Sequence, residues 1–154
     1  MVTFIGDFEC KADVKGRVVM PAAFKKALGV DDARFVVRKD LFEKCLVIYP
    51  YTYWEEELVR LRSRLNPYNR EHKQFLRDFF RGSAEVMLDA NGRILIPKRL
   101  MDSVGAEREI VLVGVDRCIE LWPLEVYQSM GDESERLAGQ AELFLGEDGE
   151  AVGK

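Results

Sequence analysis

One five-residue pattern occurs twice in this chain and constrains its fold more than any other feature. Asp13-Val14-Lys15-Gly16-Arg17 runs into Val18-Val19-Met20-Pro21, and Asp89-Ala90-Asn91-Gly92-Arg93 runs into Ile94-Leu95-Ile96-Pro97. The spacing is constant, since 89 − 13 and 97 − 21 both equal 76, and it extends to Gly6/Gly82, Glu9/Glu85 and Gly29/Gly105. Seven identities fall among the 25 pairs from 6/82 to 30/106. Ordinary residue usage would produce roughly one or two by chance. Most remaining pairs agree in character, as Val18/Ile94, Met20/Ile96, Phe24/Leu100 and Leu28/Val104 do. The chain is therefore built from two copies of one unit. Its 154 residues suit one domain, or two small halves sharing a core.

Local chemistry fills in each copy. Lys15-Gly16 and Asn91-Gly92 are turn dipeptides, because Gly accepts a positive φ and Asn tolerates one, so each copy is predicted to hold a tight β-hairpin. Asp13 and Asp89 at the head of each turn can accept bonds from backbone amides two or three residues on, and are read as turn organisers with Gly16 and Gly92. Pro21 to Gly29 and Pro97 to Gly105 then show the Pro-first, Gly-last asymmetry of a short helix, with Phe24/Leu28 and Leu100/Val104 on the core-facing side. Strands are predicted at 34–38 and 109–114, then at 45–49 and 119–122. Between these the spacing falls to 73 (118 − 45), which places three extra residues in a surface turn near 40–44.

Pro50 and Pro123 each open a helix. The first carries the stripe Trp54, Leu58, Leu61, Leu65, and Asn66-Pro67 is predicted to break it and cap a second helix with the stripe Tyr68, His72, Phe75, Phe79. Phe75, Phe79 and Phe80 are expected in the internal core rather than on a contact between protomers. The resulting division is a first unit over 5–53, a helical insert over 54–81, a second unit over 82–127, and a C-terminal helix with an acidic tail over 128–154. Residues 146–154 are expected to be disordered.

Composition bounds the function. With 47% hydrophobic and 32% charged residues the chain is a globular protein with a real core. No signal-peptide pattern opens it and no apolar run approaches the roughly 20 residues of a membrane span, so the expectation is a cytoplasmic protein without a membrane partner. Cys10, Cys45 and Cys118 are odd in number, far apart and without a CxxC pair or histidine cluster, which argues against both disulfides and a metal site. The net charge of −4 is unevenly spread. Residues 1–83 hold 16 Lys and Arg against 12 Asp and Glu, whereas residues 124–154 hold 2 against 8. A basic face near the N-terminal copy is compatible with the acidic total.

Alone, each DxxGR reads as a hairpin whose Asp satisfies turn amides and whose Arg pairs with a carboxylate. The first copy carries more: Lys11, Lys15 and Arg17 fall within seven residues. A rigid turn with clustered cations can grip phosphates, and an arginine can bond guanine bidentately in the major groove. The order of a DxKGR turn, a Pro-initiated short helix, a helical middle with Arg64-Leu65-Asn66-Pro67 and Phe75-Leu76-Arg77-Asp78-Phe79-Phe80, a second DxxGR, and Leu112-Val113-Gly114-Val115 before Ile119-Glu120-Leu121-Trp122 resembles the MraZ family over about residues 1–145. That family comprises bacterial transcriptional regulators of the division and cell-wall gene cluster, built from two SpoVT-AbrB-type units.

The resemblance implies a mainly β fold with added helices: a pseudo-twofold double-split (swapped-hairpin) β-barrel made from two internal repeats. It implies a DNA-binding regulator, read as a repressor at the nucleoid, whose protomers form a homo-oligomeric ring on repeated double-stranded promoter boxes. It places the DNA-contacting arginine at Arg17, with Lys15 and Lys11 as phosphate partners. Arg93 matches the second motif, although Asn91 stands where the first copy has Lys15, so the second hairpin is less basic and mainly structural. No cofactor, small-molecule substrate or catalytic residue is implied.

Two other readings compete. Asp13 and Asp89 could meet across the pseudo-twofold axis as an acid–base dyad. An arginine four residues after each would hold both ionised, and the lone His72 lies on an apolar stripe, so no catalytic constellation is visible. The stronger rival is a protein-interaction or assembly module with DNA binding incidental. The acidic tail and helix surfaces favour it; the cationic first hairpin favours DNA.

Overall fold

A computed structural model describes residues 2–29, 32–131 and 133–146. Eight strands carry the architecture: β1 (Asp7–Lys11), β2 (Arg17–Val19), β3 (Arg34–Lys39), β4 (Leu46–Pro50), β5 (Ser83–Met87), β6 (Arg93–Leu95), β7 (Glu109–Val115) and β8 (Cys118–Pro123). Six of them form an antiparallel sheet in the order β1-β7-β8-β4-β3-β5, and β2 pairs with β6 in a separate two-stranded ribbon. This is the two-repeat, mainly β fold the sequence leads one to expect, hydrogen-bonded as an open sheet plus a ribbon rather than as one continuous barrel ladder.

The strand pairing departs from a simple hairpin in each copy. The turn closes, with the Asp13 amide donating to the Arg17 carbonyl at 3.0 Å, but its two arms then part. β1 pairs with β7 of the other half and β2 with β6, while in the second copy β5 pairs with β3. A hairpin that pairs with itself would leave each half with half a core. Exchanging arms lets both halves cover one interior. The duplication appears in the register as well: Val18 faces its own counterpart Ile94 in the ribbon, and Val47 faces Glu120, its counterpart by the spacing of 73, between β4 and β8.

The interior is filled by side chains from both copies. Phe4, Met20, Phe24, Phe35, Ile94 and Ile96 are all essentially inaccessible to solvent. Phe24 sits edge-on to Phe4 at 5.4 Å and to Phe8 at 5.0 Å. Each such large apolar side chain contributes about 1.5–3 kcal/mol on burial, and edge-to-face contacts add to it. The short helices α1 (Ala22–Ala27) and α4 (Lys98–Ser103) follow the ribbon strands directly. Pro21 and Pro97 occupy their N-cap positions, one residue before the first helical residue.

Helix α2 (Tyr51–Arg64) lies on the other face of the sheet, where Trp54 and Leu58 pack with Val36 in a second, smaller core. Helix α3 (Arg70–Arg81) follows. Its cap is Asn69, whose side chain accepts the amides of Glu71 and His72, rather than the predicted Asn66-Pro67. His72 Nδ1 in turn accepts the Asn66 amide at 2.9 Å, closing the loop between the helices.

Contrary to the expectation from spacing, Phe75 and Phe80 lie outside the internal core. No residue of α3 is buried, and Phe75 and Phe80 are 41% and 43% exposed. Phe79 is the most enclosed of the three, stacked on Trp54 at 5.7 Å with the Arg38 guanidinium 3.9 Å from its ring, while Phe80 meets the same indole edge-on at 6.2 Å. The helix follows its stripe, but α2 and the Arg38 side chain of β3 cover that stripe mainly at Phe79.

The chain divides into two compact units, Met1–Leu124 and Glu125–Lys154. The second holds most of α5 (Leu124–Ser129) and all of α6 (Ser134–Leu145), with Leu143, Phe144 and Leu145 exposed. Of the tail expected to be disordered, only Gly146 lies within the described residues. Among the described residues no helix is long and apolar enough to cross a membrane.

Candidate nucleic-acid interface

The two turns are built alike from the aspartate outward. Asp13 Oδ1 accepts the backbone amides of Lys15 and Arg17, both at 2.9 Å, and Oδ2 accepts Arg17 Nε at 2.8 Å. Asp89 Oδ1 accepts the amides of Asn91 at 2.8 Å and Arg93 at 2.9 Å, and Oδ2 accepts Arg93 Nε at 3.1 Å. Gly16 and Gly92 adopt φ of 90° and 74°, as such turns require. Each aspartate thus fixes its turn and orients its arginine through Nε alone. The terminal guanidinium nitrogens, with four N–H donors, lie outside the carboxylate's grip.

These bonds also set the charge state. The Arg17 backbone amide, the Arg17 side chain and the Lys15 amide hold the Asp13 carboxyl below the usual carboxylate range, against a smaller opposing effect of desolvation. The amides of Arg93 and Asn91 and the Arg93 charge do the same for Asp89. Each carboxylate is engaged within its own turn, so the pair has no shared proton to pass, and an acid–base dyad is chemically disfavoured.

The ribbon brings the two arginines together. In β2–β6, Arg17 lies opposite Leu95 and Arg93 opposite Val19. Val18 and Ile94 point into the core, so alternation turns Arg17, Val19, Arg93 and Leu95 to the outer face. Val19 and Leu95 are 54% and 51% exposed there. Arg17 and Arg93 are diagonal neighbours, about 7–8 Å apart at the backbone. By sequence they belong to two separate hairpins of unequal charge. Their juxtaposition depends on strand exchange between the halves, which no local signal encodes.

Lys15 is exposed at the tip of the first turn. Lys11 ends β1 on the other sheet, opposite Glu109 and on the same strand face as Glu9, in a less cationic setting. Lys25, which sequence reasoning did not single out, projects from α1 to the second turn: a Cβ placed on Gly92 would stand 2.8 Å from its Nζ. Behind the first turn is a cavity of about 820 Å³ whose lining includes Met101, Ala106, Lys98 and Arg108.

Among the described residues one group of metal-ligating types converges, Asp40, Cys45 and Glu120, with ligand atoms within 4.8 Å of one another. Asp40 already accepts the amides of Phe42 and Glu43, Glu120 accepts Trp122 Nε1, and burial pushes the Cys45 thiol upward. These bonds organise the loop before β4 and the end of β8.

The family described as "MraZ protein, putative antitoxin-like" matches residues 3–78 and again 79–145, one match for each copy of the repeat. A Transcriptional regulator MraZ of Bacteroides fragilis is 40% identical over 150 residues, covering 96% of this chain and 94% of that protein. The Transcriptional regulator MraZ of Bacteroides thetaiotaomicron is 44% identical over 126 residues, 81% of each chain. That of Cytophaga hutchinsonii is 41% identical over 143 residues, 92% of this chain and 94% of its own. These relatives carry the name of a regulator and not of an enzyme. With both halves matched and similarity running through the turns, ribbon and helical insert, this chain belongs to the MraZ family.

Proposed function

We propose that this protein is a transcriptional regulator that binds duplex DNA through the outer face of the β2–β6 ribbon. The observation that carries the reading is the pairing that sets Arg17 and Arg93 diagonally on the same outer face of a two-stranded ribbon, each oriented by its own aspartate. A two-stranded β-ribbon fits the major groove, and a bidentate arginine–guanine contact is worth about 1–3 kcal/mol of discrimination. Lys15, at the tip, is assigned to a phosphate. Lys11, beside Glu9 and Glu109, is assigned a weaker flanking phosphate contact.

So small a contact set binds weakly and with strong salt dependence. Linking several ribbons in a homo-oligomer raises avidity by orders of magnitude, which supports a ring of protomers on repeated promoter boxes. Phe75 and Phe80, exposed on α3, favour that helix as a surface for assembly. The function assigned is repression of the division and cell-wall gene cluster at the nucleoid.

The test is titration of the purified protein with DNA from upstream of its own gene, at several salt concentrations and against a scrambled duplex. Wild type is expected to prefer its own DNA, with affinity falling steeply as salt rises. Arg17→Ala should remove the preference while leaving the oligomer intact. Unchanged binding and salt slope in that variant would move the function to protein interaction alone.

A further inference from the structure

The second turn carries Asn91 where the first carries Lys15, so by sequence it is one cation short. The fold supplies one from elsewhere. Met20 donates its amide to the Gly92 carbonyl at 2.9 Å, and Pro21 then caps α1, so this helix of the first copy starts against the turn of the second. One helical turn further on, Lys25 lies across Gly92. A Cβ built there would meet Nζ at 2.8 Å, Cδ at 3.4 Å and Cε at 3.6 Å. Lys25 is exposed, and among the described residues its ammonium has no ion-pair partner.

The other side of the pseudo-twofold is arranged in the opposite way. Position 25 + 76 is Met101, which is buried. Lys98, the lysine on that helix, pairs with Asp102 at 3.3 Å. Thus the first turn has a lysine in its sequence and a methionine from the facing helix, while the second has an asparagine in its sequence and a lysine from the facing helix. Each turn thus has its own arginine and a lysine beside it, while the other cations near the first turn, Lys98 and Arg108, line the cavity behind it together with Asp102 and Glu107.

We propose that Lys25 is a DNA-phosphate ligand of the second turn, pairing with Arg93 there as Lys15 pairs with Arg17 on the first. The inference rests on the DNA-binding reading above. It makes the reading head two-sided in charge as well as in fold, with the bare Cα of Gly92 giving the lysine stem its seat. An ammonium against a turn is a compact point charge suited to phosphate and carries no base preference of its own.

The experiment is an anisotropy titration of full-length protein with the upstream duplex and a scrambled duplex over a salt series. The variants are Lys25→Met, which installs the residue of the counterpart position, Lys26→Met as a neighbour of equal charge change, Lys25→Arg and Arg17→Ala. Lys25→Met should weaken binding to both duplexes alike and lower the salt slope by about 0.9 for each subunit engaged. Lys25→Arg should restore the slope, and Lys26→Met should leave it near wild type.

If Lys25→Met behaves as Lys26→Met does while Arg17→Ala loses binding, the Lys25 assignment is overturned and the DNA reading stands. If wild type shows no salt-dependent binding, or Arg17→Ala and Lys25→Met both match wild type, both inferences fall. A Lys25→Met chain with altered thermal unfolding would leave Lys25→Arg and a Lys25→Gln chain to decide by the same slopes.

Discussion

Gly16 and Ile96 are locked together: the Gly16 carbonyl accepts the Ile96 amide at 2.9 Å, and a Cβ on Gly16 would stand 2.5 Å from the Ile96 carbonyl oxygen. Ile96 leads into the second helix and Gly16 forms the first turn, so this contact crosses between the halves. Its counterpart is the bond from Met20 to Gly92. The two turns therefore hold each other's outgoing strands, and the ribbon is fixed at both ends.

Gly16→Ala meets two obstacles, a φ of 90° and a backbone oxygen with no freedom to yield. The strain alone is about 1–3 kcal/mol, and the clash adds to it. Gly105→Ala is the control, since its φ is 70° but nothing lies within 4 Å of the added Cβ. In urea unfolding, Gly16→Ala should lower the midpoint by at least twice as much as Gly105→Ala, with the slope unchanged. Equal shifts would mean that the crossing contact yields freely.

Arg17→Lys keeps the charge and removes the fork. Arginine can give Nε to Asp13 and still offer both terminal nitrogens outward, whereas lysine has one nitrogen for both tasks. The variant should hold the salt slope of wild type but lose roughly 1–3 kcal/mol of discrimination between the upstream and scrambled duplexes. Competition titration at one fixed salt concentration measures this directly.

Much of this arrangement was readable from residue types, and the rest was hidden for identifiable reasons. Gly16, Gly92, Pro21 and Pro97 punctuate the chain locally, so the turns and short helices stand out in sequence. The exchange of arms between β2 and β6 depends on contacts across 76 positions and has no local signal. Lys25 has no signal in the sequence, because the repeat aligns it with Met101, whereas the fold lays it against Gly92, next to Asn91. The spacing of Phe75 and Phe79 correctly gave one helical face, but spacing does not say what covers a face.

Acid should loosen the turns through Asp13 and Asp89. Both carboxyls are held below their ordinary value of 3.8, so the folded chain keeps them ionised to lower pH than the unfolded chain does. Their contribution to stability is complete above that value and fades as pH falls through the depressed folded values. Asp13→Asn keeps an oxygen for the two amides but sets an amide nitrogen against Arg17 Nε. It should be less stable than wild type at pH 7, with the gap narrowing as pH falls from about 3.8 toward 2. A constant gap in urea midpoints across that range would refute the ionic account.

Trp54 anchors the helical insert. It packs with Val36 and Leu58 and stacks on Phe79, so one indole touches the sheet, α2 and α3 at once, beside the contacts of Arg34 with Tyr51 and of Arg38 with Phe79. Trp54→Ala should cost about 3–5 kcal/mol. Phe79→Ala should cost less, because that ring is only partly buried. Hydrogen exchange should show faster opening of α2 and α3 than of β7 in Trp54→Ala. Uniform acceleration over the whole chain would show that the insert and the main sheet unfold as one.

The three cysteines set an alkaline limit. Burial pushes the Cys45 thiol far upward, raises Cys118 to about 12 and raises Cys10 from the ordinary 9.0. The unfolded chain ionises its thiols near the ordinary value while the folded chain keeps them neutral. Their contribution is therefore intact below pH 9 and is lost as pH rises toward the folded values. At pH 8 the native protein should react slowly with a thiol reagent, and the urea-unfolded protein should react at all three sites promptly. Cys45 is fully inaccessible and carries the largest shift. Cys45→Ala should thus be less stable than wild type at pH 7, from lost packing, yet lose less stability between pH 7 and pH 10. An equal loss in both proteins would assign the alkaline sensitivity to groups other than this thiol.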